Sequence, residues 1–222
     1  MTAVVIGASG LIGSHLVNQL RADPFFDRVR LLLRNWDGPP DGRLEMVEVN
    51  FQDLPSLEQA IGEGDIVFCS VGTTMKKVKG DKIAYRKIDY DIPVDVATIS
   101  KRRGYKKFLL VSAVSANSKS SNFYLKLKGE VEESLKGSGF ESMHIFRPSV
   151  LLGKRNEKRP GESLAQLLAP LFSFLLLGSL SKYKAVKASD VAKAMIAASK
   201  TKQKGCMVHE YDSIMKLVRV AG

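Results

Sequence analysis

Little in this sequence invites disulfide or metal chemistry. It holds two cysteines in 222 residues, Cys69 inside an apolar run and Cys206 near the C-terminus, so no disulfide framework is indicated and a reducing, cytoplasmic setting is expected. Cys69 reads as an inert buried thiol. His15, His144 and His209 are scattered without metal-ligand spacing, which leaves them structural and predicts no metal site. Long hydrophobic runs are also missing. The most apolar stretch, Leu164 to Leu180, contains Gln166 and Pro170 and falls short of the ~20 residues a spanning helix needs. It reads as a buried or interface helix over 164–177, not as a transmembrane segment. A strand is expected from Ala3 onward, and with it no cleavable leader is expected. Acidic charge is the other shortage: 23 Asp and Glu face 34 Lys and Arg, a formal net charge of +11. The cations lie in small clusters such as Lys76-Lys77-Val78-Lys79, Lys101-Arg102-Arg103 and Lys154-Arg155, without aromatic interleaving. That excludes a recognisable nucleic-acid module, but the positive field favours polyanionic ligands, dinucleotide phosphates included.

What the chain does have is alternation. Apolar runs of strand length are Ala3–Ile6, Val29–Leu33, Glu45–Val49, Ile66–Ser70, Lys107–Ser112 and Ser142–Phe146, several of them rich in Val, Ile, Leu and Phe without alternation, as strands covered on both sides should be. Between them lie segments of helical period, Leu11–Ala22, Leu57–Ile61, Ile92–Arg103 and Phe123–Lys136, the last two stopped by Gly104 and by Gly137-Ser138-Gly139. A later helix, Ser189–Ser199, takes Ser189 as its N-cap. With no internal repeat and no linker, residues 1–222 read as one α/β domain with a mainly parallel sheet.

Gly7-Ala8-Ser9-Gly10-Leu11-Ile12-Gly13 follows the first strand and opens the first helix. Gly7 allows the tight turn, Gly10 the approach of a pyrophosphate, and Gly13 close packing of helix on strand, while the helix N-terminus offers free N–H groups. In that context the pattern is a dinucleotide fingerprint and the fold a Rossmann-type doubly wound sheet flanked by helices, with a small C-terminal substrate-side lobe. Gly7, Ser9, Gly10, Leu11, Ile12 and Gly13 are the expected cofactor contacts. Arg34 ends the second strand, about 20 residues beyond the glycines, where an acid would take a ribose hydroxyl and an arginine a 2′-phosphate. NADP(H) is therefore expected over NAD(H), with Asp37 a competing ribose ligand. Asp53 suits either the adenine amino group or the cap of the helix near Pro55. Trp36 suits the adenine or simple packing over the strand end. Gly72 and Thr73 supply small residues where the chain passes over the cofactor.

Ser112 ends the fifth strand, and Tyr124 and Lys128 stand four apart on one face of the next helix. Free tyrosine ionises near pH ~10, and a nearby cation favours the phenolate, the part Lys128 would play while also holding the nicotinamide ribose. Ser112 would hold the substrate oxygen and Tyr124 exchange its proton as hydride moves.

These residues resemble the short-chain dehydrogenase/reductase superfamily in its atypical and extended branch. Arg147-Pro148-Ser149-Val150-Leu151-Leu152-Gly153 and Ala188-Ser189-Asp190-Val191-Ala192 extend the match. A closer resemblance, to the Tat-interacting oxidoreductase-like proteins, is carried by Phe68-Cys69-Ser70-Val71-Gly72-Thr73-Thr74, Ser120-Ser121-Asn122-Phe123, Lys128-Gly129-Glu130-Val131-Glu132 and Arg159-Pro160-Gly161-Glu162. The resemblance implies a cytosolic NADP(H)-binding protein with a Ser/Tyr/Lys site and Pro148 and Ser149 near the nicotinamide. It names no substrate. A small reductase or dehydrogenase is one expectation, and a cofactor-binding regulatory protein with a protein partner or a second copy is the other.

Overall fold

The protein, in a computed structural model, is described over residues 1–35, 42–153 and 177–220. Trp36, Asp37, Lys154-Arg155, Arg159-Pro160-Gly161-Glu162 and the apolar helix expected over 164–177, its last residue apart, lie outside them. Seven strands form one parallel sheet in the order β3-β2-β1-β4-β5-β6-β9. They are β1 Thr2–Ile6, β2 Arg28–Leu33, β3 Leu44–Glu48, β4 Ile66–Cys69, β5 Lys107–Val111, β6 Ser142–Phe146 and β9 Gly205–His209. Strands β7 Leu151–Leu152 and β8 Val186–Lys187 pair separately. The helices are α1 Leu11–Ala22, α2 Leu54–Ile61, α3 Lys82–Arg86, α4 Ile92–Arg102, α5 Phe123–Lys136, α6 Ala188–Ser199 and α7 Tyr211–Val220.

Both faces of the sheet are apolar because both are covered. Ala3 and Val5 of β1 pack with Leu16 and Leu20 of α1, Val191 and Met195 of α6 and Ile214 of α7. Val4 and Ile6 face the other way, onto Leu57 and Ile61 of α2, Val96 and Ile99 of α4, and Val131 and Leu135 of α5. Period-two burial on two faces is why the strands read as unbroken hydrophobic runs. The order reverses between β1 and β4, which opens a crevice at the carboxyl ends of those two strands.

Local sequence accounts for most boundaries. Asn122 caps α5 by accepting from the Leu125 N–H at 3.1 Å. Gly104, at φ 84°, ends α4: its N–H reaches Lys101 O and that of Tyr105 reaches Ser100 O. Several boundaries and elements differ from expectation. Helix α2 starts at Leu54 because Asp53 caps it, accepting from Ser56 N–H at 3.1 Å. Ser189 is not the cap of α6. Lys187 holds that place in extended conformation at the end of β8, and no side chain caps the helix. The helix expected from Ile92 is preceded by α3 and a π-helical turn, Lys87–Asp91, just ahead of Pro93. Pro93 has no N–H for the carbonyl of Asp89, and the wider turn relieves that mismatch. Strand β9 and helix α7 were not foreseen at all.

Candidate active site

The glycine turn is built by backbone crowding at the head of the crevice. Gly7 sits at φ 83°, and a Cβ there would lie 2.7 Å from Ser70 C and Val71 N. A Cβ on Gly13 would come within 2.0 Å of Gly7 O, so α1 can press on the turn only without a side chain. Gly10 is the N-cap of α1 and no side chain caps the helix, which leaves first-turn N–H groups directed into the crevice. Ser9 and Gly10 are exposed, Leu11 is half-buried, and Ile12 packs into the core, so it can offer a ligand only its backbone. Arg34 is exposed at the end of β2 and has no partner among the described residues. Asp53 lies beyond β3, one carboxylate oxygen engaged in the α2 cap.

Helix α5 carries a descending column of polar side chains at i, i+4 and i+8. Tyr124, at the top, is 40% exposed. Below it Lys128 is buried, and its Nζ lies 2.9 Å from Oδ1 of Asp89, itself 1% exposed. Oδ2 of Asp89 accepts from Thr73 N–H at 2.7 Å. Burial by itself would push Lys128 down, but the Asp89 carboxylate and, to a lesser degree, Tyr124 hold its pKa above the ordinary lysine value. Gly72 roofs the pair: a Cβ there would stand 3.4 Å from Asp89 Oδ1 and 3.9 Å from Lys128 Nζ. At the base, buried Glu132 accepts from Ser112 Oγ at 2.6 Å and takes a two-pronged hydrogen bond from Arg147, Nε at 2.9 Å and Nη2 at 2.5 Å. Those bonds raise the Arg147 pKa further.

The structure thus brings the glycine turn, Gly72, Thr73, Tyr124 and Lys128 to one end of the sheet. Ser112 differs in kind. Its hydroxyl is buried and donates to Glu132, so it is not offered to the crevice as the sequence reading expected. Pro148 is buried and its carbonyl accepts from Val114 N–H at 3.0 Å. Nearby, Tyr183 joins three pieces of chain: its hydroxyl is 3.2 Å from Ser115 Oγ and its carbonyl accepts from Ser149 Oγ at 3.1 Å. Ser115 holds a left-handed conformation, φ 63°.

Asp89, Glu132 and Tyr183 were missed. Glu132 had a signal, an acid on the inward face of α5 eight residues after Tyr124. Asp89 had none, since only the π-turn aims it at Lys128. Cys69 is buried, as expected of an inert thiol, and burial raises its pKa to about 11. Among the described residues no helix is long and apolar enough to cross a membrane.

A parallel sheet in this order, a glycine turn at its switch point and a Tyr/Lys helix behind it define a Rossmann-type dinucleotide-binding protein. The chain belongs to the NAD(P)H-binding family, whose pattern matches residues 7–202. It is 34% identical over 165 residues to Protein HTATIP2 of Rattus norvegicus, covering 73% of this chain and 67% of that protein. Against the mitochondrial protein FMP52 of Candida albicans it is 31% identical over 201 residues, 88% and 86% of the two chains. Among solved structures, the Bordetella bronchiseptica enzyme WbmH in complex with NAD+ superposes with a TM-score of 0.72 at 19% identity, covering 98% of this chain and 79% of that one. The expected kinship with the Tat-interacting oxidoreductase-like proteins stands on the first of these relatives, and the solved structure adds likeness of fold. The cytoplasmic expectation does not, because the fungal relatives are named mitochondrial. It had rested on cysteine usage and the early first strand, neither of which distinguishes one reducing compartment from another.

Proposed function

We propose that residues 1–222 act as one domain, an NADP(H)-dependent oxidoreductase that interconverts a small carbonyl compound and its alcohol, and that it works in mitochondria. One observation carries the reading: the buried Asp89–Lys128 pair directly below half-exposed Tyr124, at the carboxyl end of the sheet beside the glycine turn. A pyrophosphate fits that turn, since the added Cβ contacts leave backbone alone beside the uncapped N-terminus of α1. When bound, the nicotinamide supplies or accepts the hydride. Gly7, Ser9, Gly10, Leu11, Ile12 and Gly13 would hold the phosphates through backbone, Arg34 a 2′-phosphate, and the free oxygen of Asp53 the adenine. Gly72, Thr73 and Pro148 would wall the nicotinamide end.

Tyr124 gives its proton to the substrate oxygen in the reducing direction and takes it back in the other. Lys128 donates one N–H to Asp89 and keeps two for a ribose hydroxyl and the Tyr124 oxygen. Its charge favours the phenolate that proton transfer leaves behind. Ser112 acts through Glu132, fixing the lower end of α5, instead of by contact with substrate.

A second reading, a nucleotide-binding regulatory protein without turnover that works through a protein partner or a second copy, is favoured by one observation. The Ser112 hydroxyl is committed to Glu132, which leaves the Ser/Tyr/Lys set without a free serine at that position. Calorimetric titration of NADPH and NADH into wild type and Arg34→Ala tests the cofactor, and a carbonyl screen of wild type against Tyr124→Phe tests the chemistry. Tight NADPH binding lost in Arg34→Ala, with turnover lost in Tyr124→Phe, supports the oxidoreductase. Binding without turnover of any carbonyl leaves the regulatory reading, and failure of both nucleotides to bind sinks both.

A further inference from the structure

Beyond β4 the chain passes over the Asp89–Lys128 pair at Gly72 and Thr73, then closes into a basic turn over residues 75–80. The turn is held by its own backbone. Val78 N–H donates to Thr74 O at 3.3 Å, Lys79 N–H to Lys76 O at 3.2 Å and Gly80 N–H to Met75 O at 2.8 Å. The Thr74 hydroxyl oxygen accepts from Lys77 N–H at 3.2 Å. Lys79 sits in the left-handed region at φ 51°. Both ends are fastened to the Tyr124 helix. At the first, Thr73 N–H reaches Asp89 and through it Lys128. At the second, Tyr85 donates its hydroxyl to Thr73 O at 3.3 Å and meets the Phe123 ring edge-on at 5.6 Å. The Lys82 ammonium lies 5.4 Å from the centroid of the same ring, and Phe123 immediately precedes Tyr124.

At this rim of the crevice three lysines carry positive charge that no described carboxylate pairs with. Lys76, Lys79 and Lys82 are exposed and have no carboxylate partner among the described residues. Three acids close by in the chain or on α5 already have partners. Asp81 accepts from Ile83 and Ala84 N–H at the start of α3, Asp89 holds Lys128, and Glu130 pairs with Arg86 at 2.6 Å. The dinucleotide does not account for the excess. Its expected 2′-phosphate site is Arg34, at the end of β2 on the far side of β1, whereas the basic turn follows β4 and leans on α5. What remains at this end of the crevice is the molecule that meets Tyr124.

We propose that Lys76, Lys79 and Lys82 form an anion-recognition site, and that the substrate handled at Tyr124 is a carbonyl compound bearing a carboxylate or phosphate group. The inference rests on the oxidoreductase reading for its substrate and deepens it by naming the class. Lysines carried on this backbone-held turn steer an anion toward Tyr124 and hold it by exposed ion pairs, which are individually weak and sensitive to salt.

The test compares 4-carboxybenzaldehyde with its uncharged methyl ester, and glyceraldehyde 3-phosphate with glyceraldehyde, on the full chain with NADPH. Wild type and Lys76→Glu/Lys79→Glu are assayed at low and at about 0.3 M salt, where screening reaches within a few ångströms. The expected result is a roughly five- to twentyfold preference in kcat/KM for the anionic member of at least one pair at low salt, as two or three weak ion pairs allow. High salt should shrink the preference and the double variant abolish it, with the neutral aldehydes unchanged. The favoured pair separates carboxylate from phosphate. Equal rates on charged and neutral members, or a preference that survives in the variant, overturns the anion site and leaves the oxidoreductase standing. If no aldehyde turns over, the catalytic reading fails and calorimetry of the same compounds with the NADPH complex decides the site. Preferential, salt-sensitive binding of the anion that the variant loses keeps it, and indifference to charge ends it. Variant-sensitive binding of duplex DNA with none of the small anions also overturns it, in favour of a nucleic-acid surface.

Discussion

Replacing Asp89 by Asn should destabilise the protein by about 3 kcal/mol at neutral pH, the usual cost of leaving one member of a buried ion pair alone. The two side chains are 2.9 Å apart with 8% and 1% of their surface exposed, so water cannot take over the lost charge. Asn also has one acceptor where Asp89 has two. Its oxygen can serve Lys128 or the Thr73 N–H but not both, and a buried donor left over costs ~1–3 kcal/mol. Without the carboxylate, burial is left as the largest influence on Lys128 and lowers its pKa. Lys128→Met should cost a similar amount by stranding Asp89. The double variant should lose much less than the sum, with a coupling of ~2 kcal/mol or more, since an apolar side chain facing a neutral amide carries no stranded charge. Urea denaturation of the four proteins at pH 7 measures it. Because folded Lys128 binds its proton more tightly than the unfolded residue, the pair's contribution is complete at neutral pH. It fades only as pH rises past the ordinary lysine value of 10.5. A loss below ~1 kcal/mol in Asp89→Asn, or single effects that add within ~0.5 kcal/mol, would refute the reasoning.

Three more expectations follow from other parts of the molecule. His144 and His209 form a buried chain, Ser142 Oγ to His144 at 3.1 Å, His144 to His209 at 2.9 Å and His209 to Ser213 Oγ at 2.7 Å, and burial lowers both to about 4. The unfolded chain therefore takes up protons first, and stability should be full above about pH 6.5 and fall by roughly 2–3 kcal/mol for each histidine toward pH 4. Denaturation at stepped pH, repeated with His144→Gln/His209→Gln, should show the variant's profile to be flatter; an identical slope would discard the assignment. Gly13→Ala places a methyl 2.0 Å from Gly7 O and should weaken NADPH binding at least tenfold, with a cost in stability of ~1–3 kcal/mol for overpacking. Calorimetry and thermal melting check it, and unchanged affinity would mean that α1 does not position the turn. Cys69 is buried with a pKa of about 11, whereas Cys206 is exposed. A thiol reagent should label Cys206 within minutes and Cys69 only on unfolding.

The sequence by itself determined the class of fold and the head of the cofactor site. Strands such as Ile66–Cys69 announce burial on both faces through their composition, and Gly7, Gly10 and Gly13 stand in an order that only a strand–turn–helix crossing makes sense of. Helices α1 and α5 could be read to the residue because their caps and stops are local: Asn122 and Gly137 act on groups within one turn of themselves. Edge strand β9 was harder, since most of its residues are exposed and only His209 is buried, and α7 buries only Ile214 fully. Tertiary structure alone decided the partners of the charged and polar groups. Lys128 could be assigned a face of α5 from its spacing, but its counter-ion lies 39 positions earlier, aimed by a π-turn that has no sequence period. Ser112 likewise occupies the expected strand end, yet its hydroxyl turns to Glu132, because a buried carboxylate already gripped by Arg147 is the strongest acceptor within reach. Periodicity reports which face of an element is dry. Hydrogen bonding and charge neutralisation inside that dry region depend on which elements the fold brings together, and that is set by the packing of the whole chain.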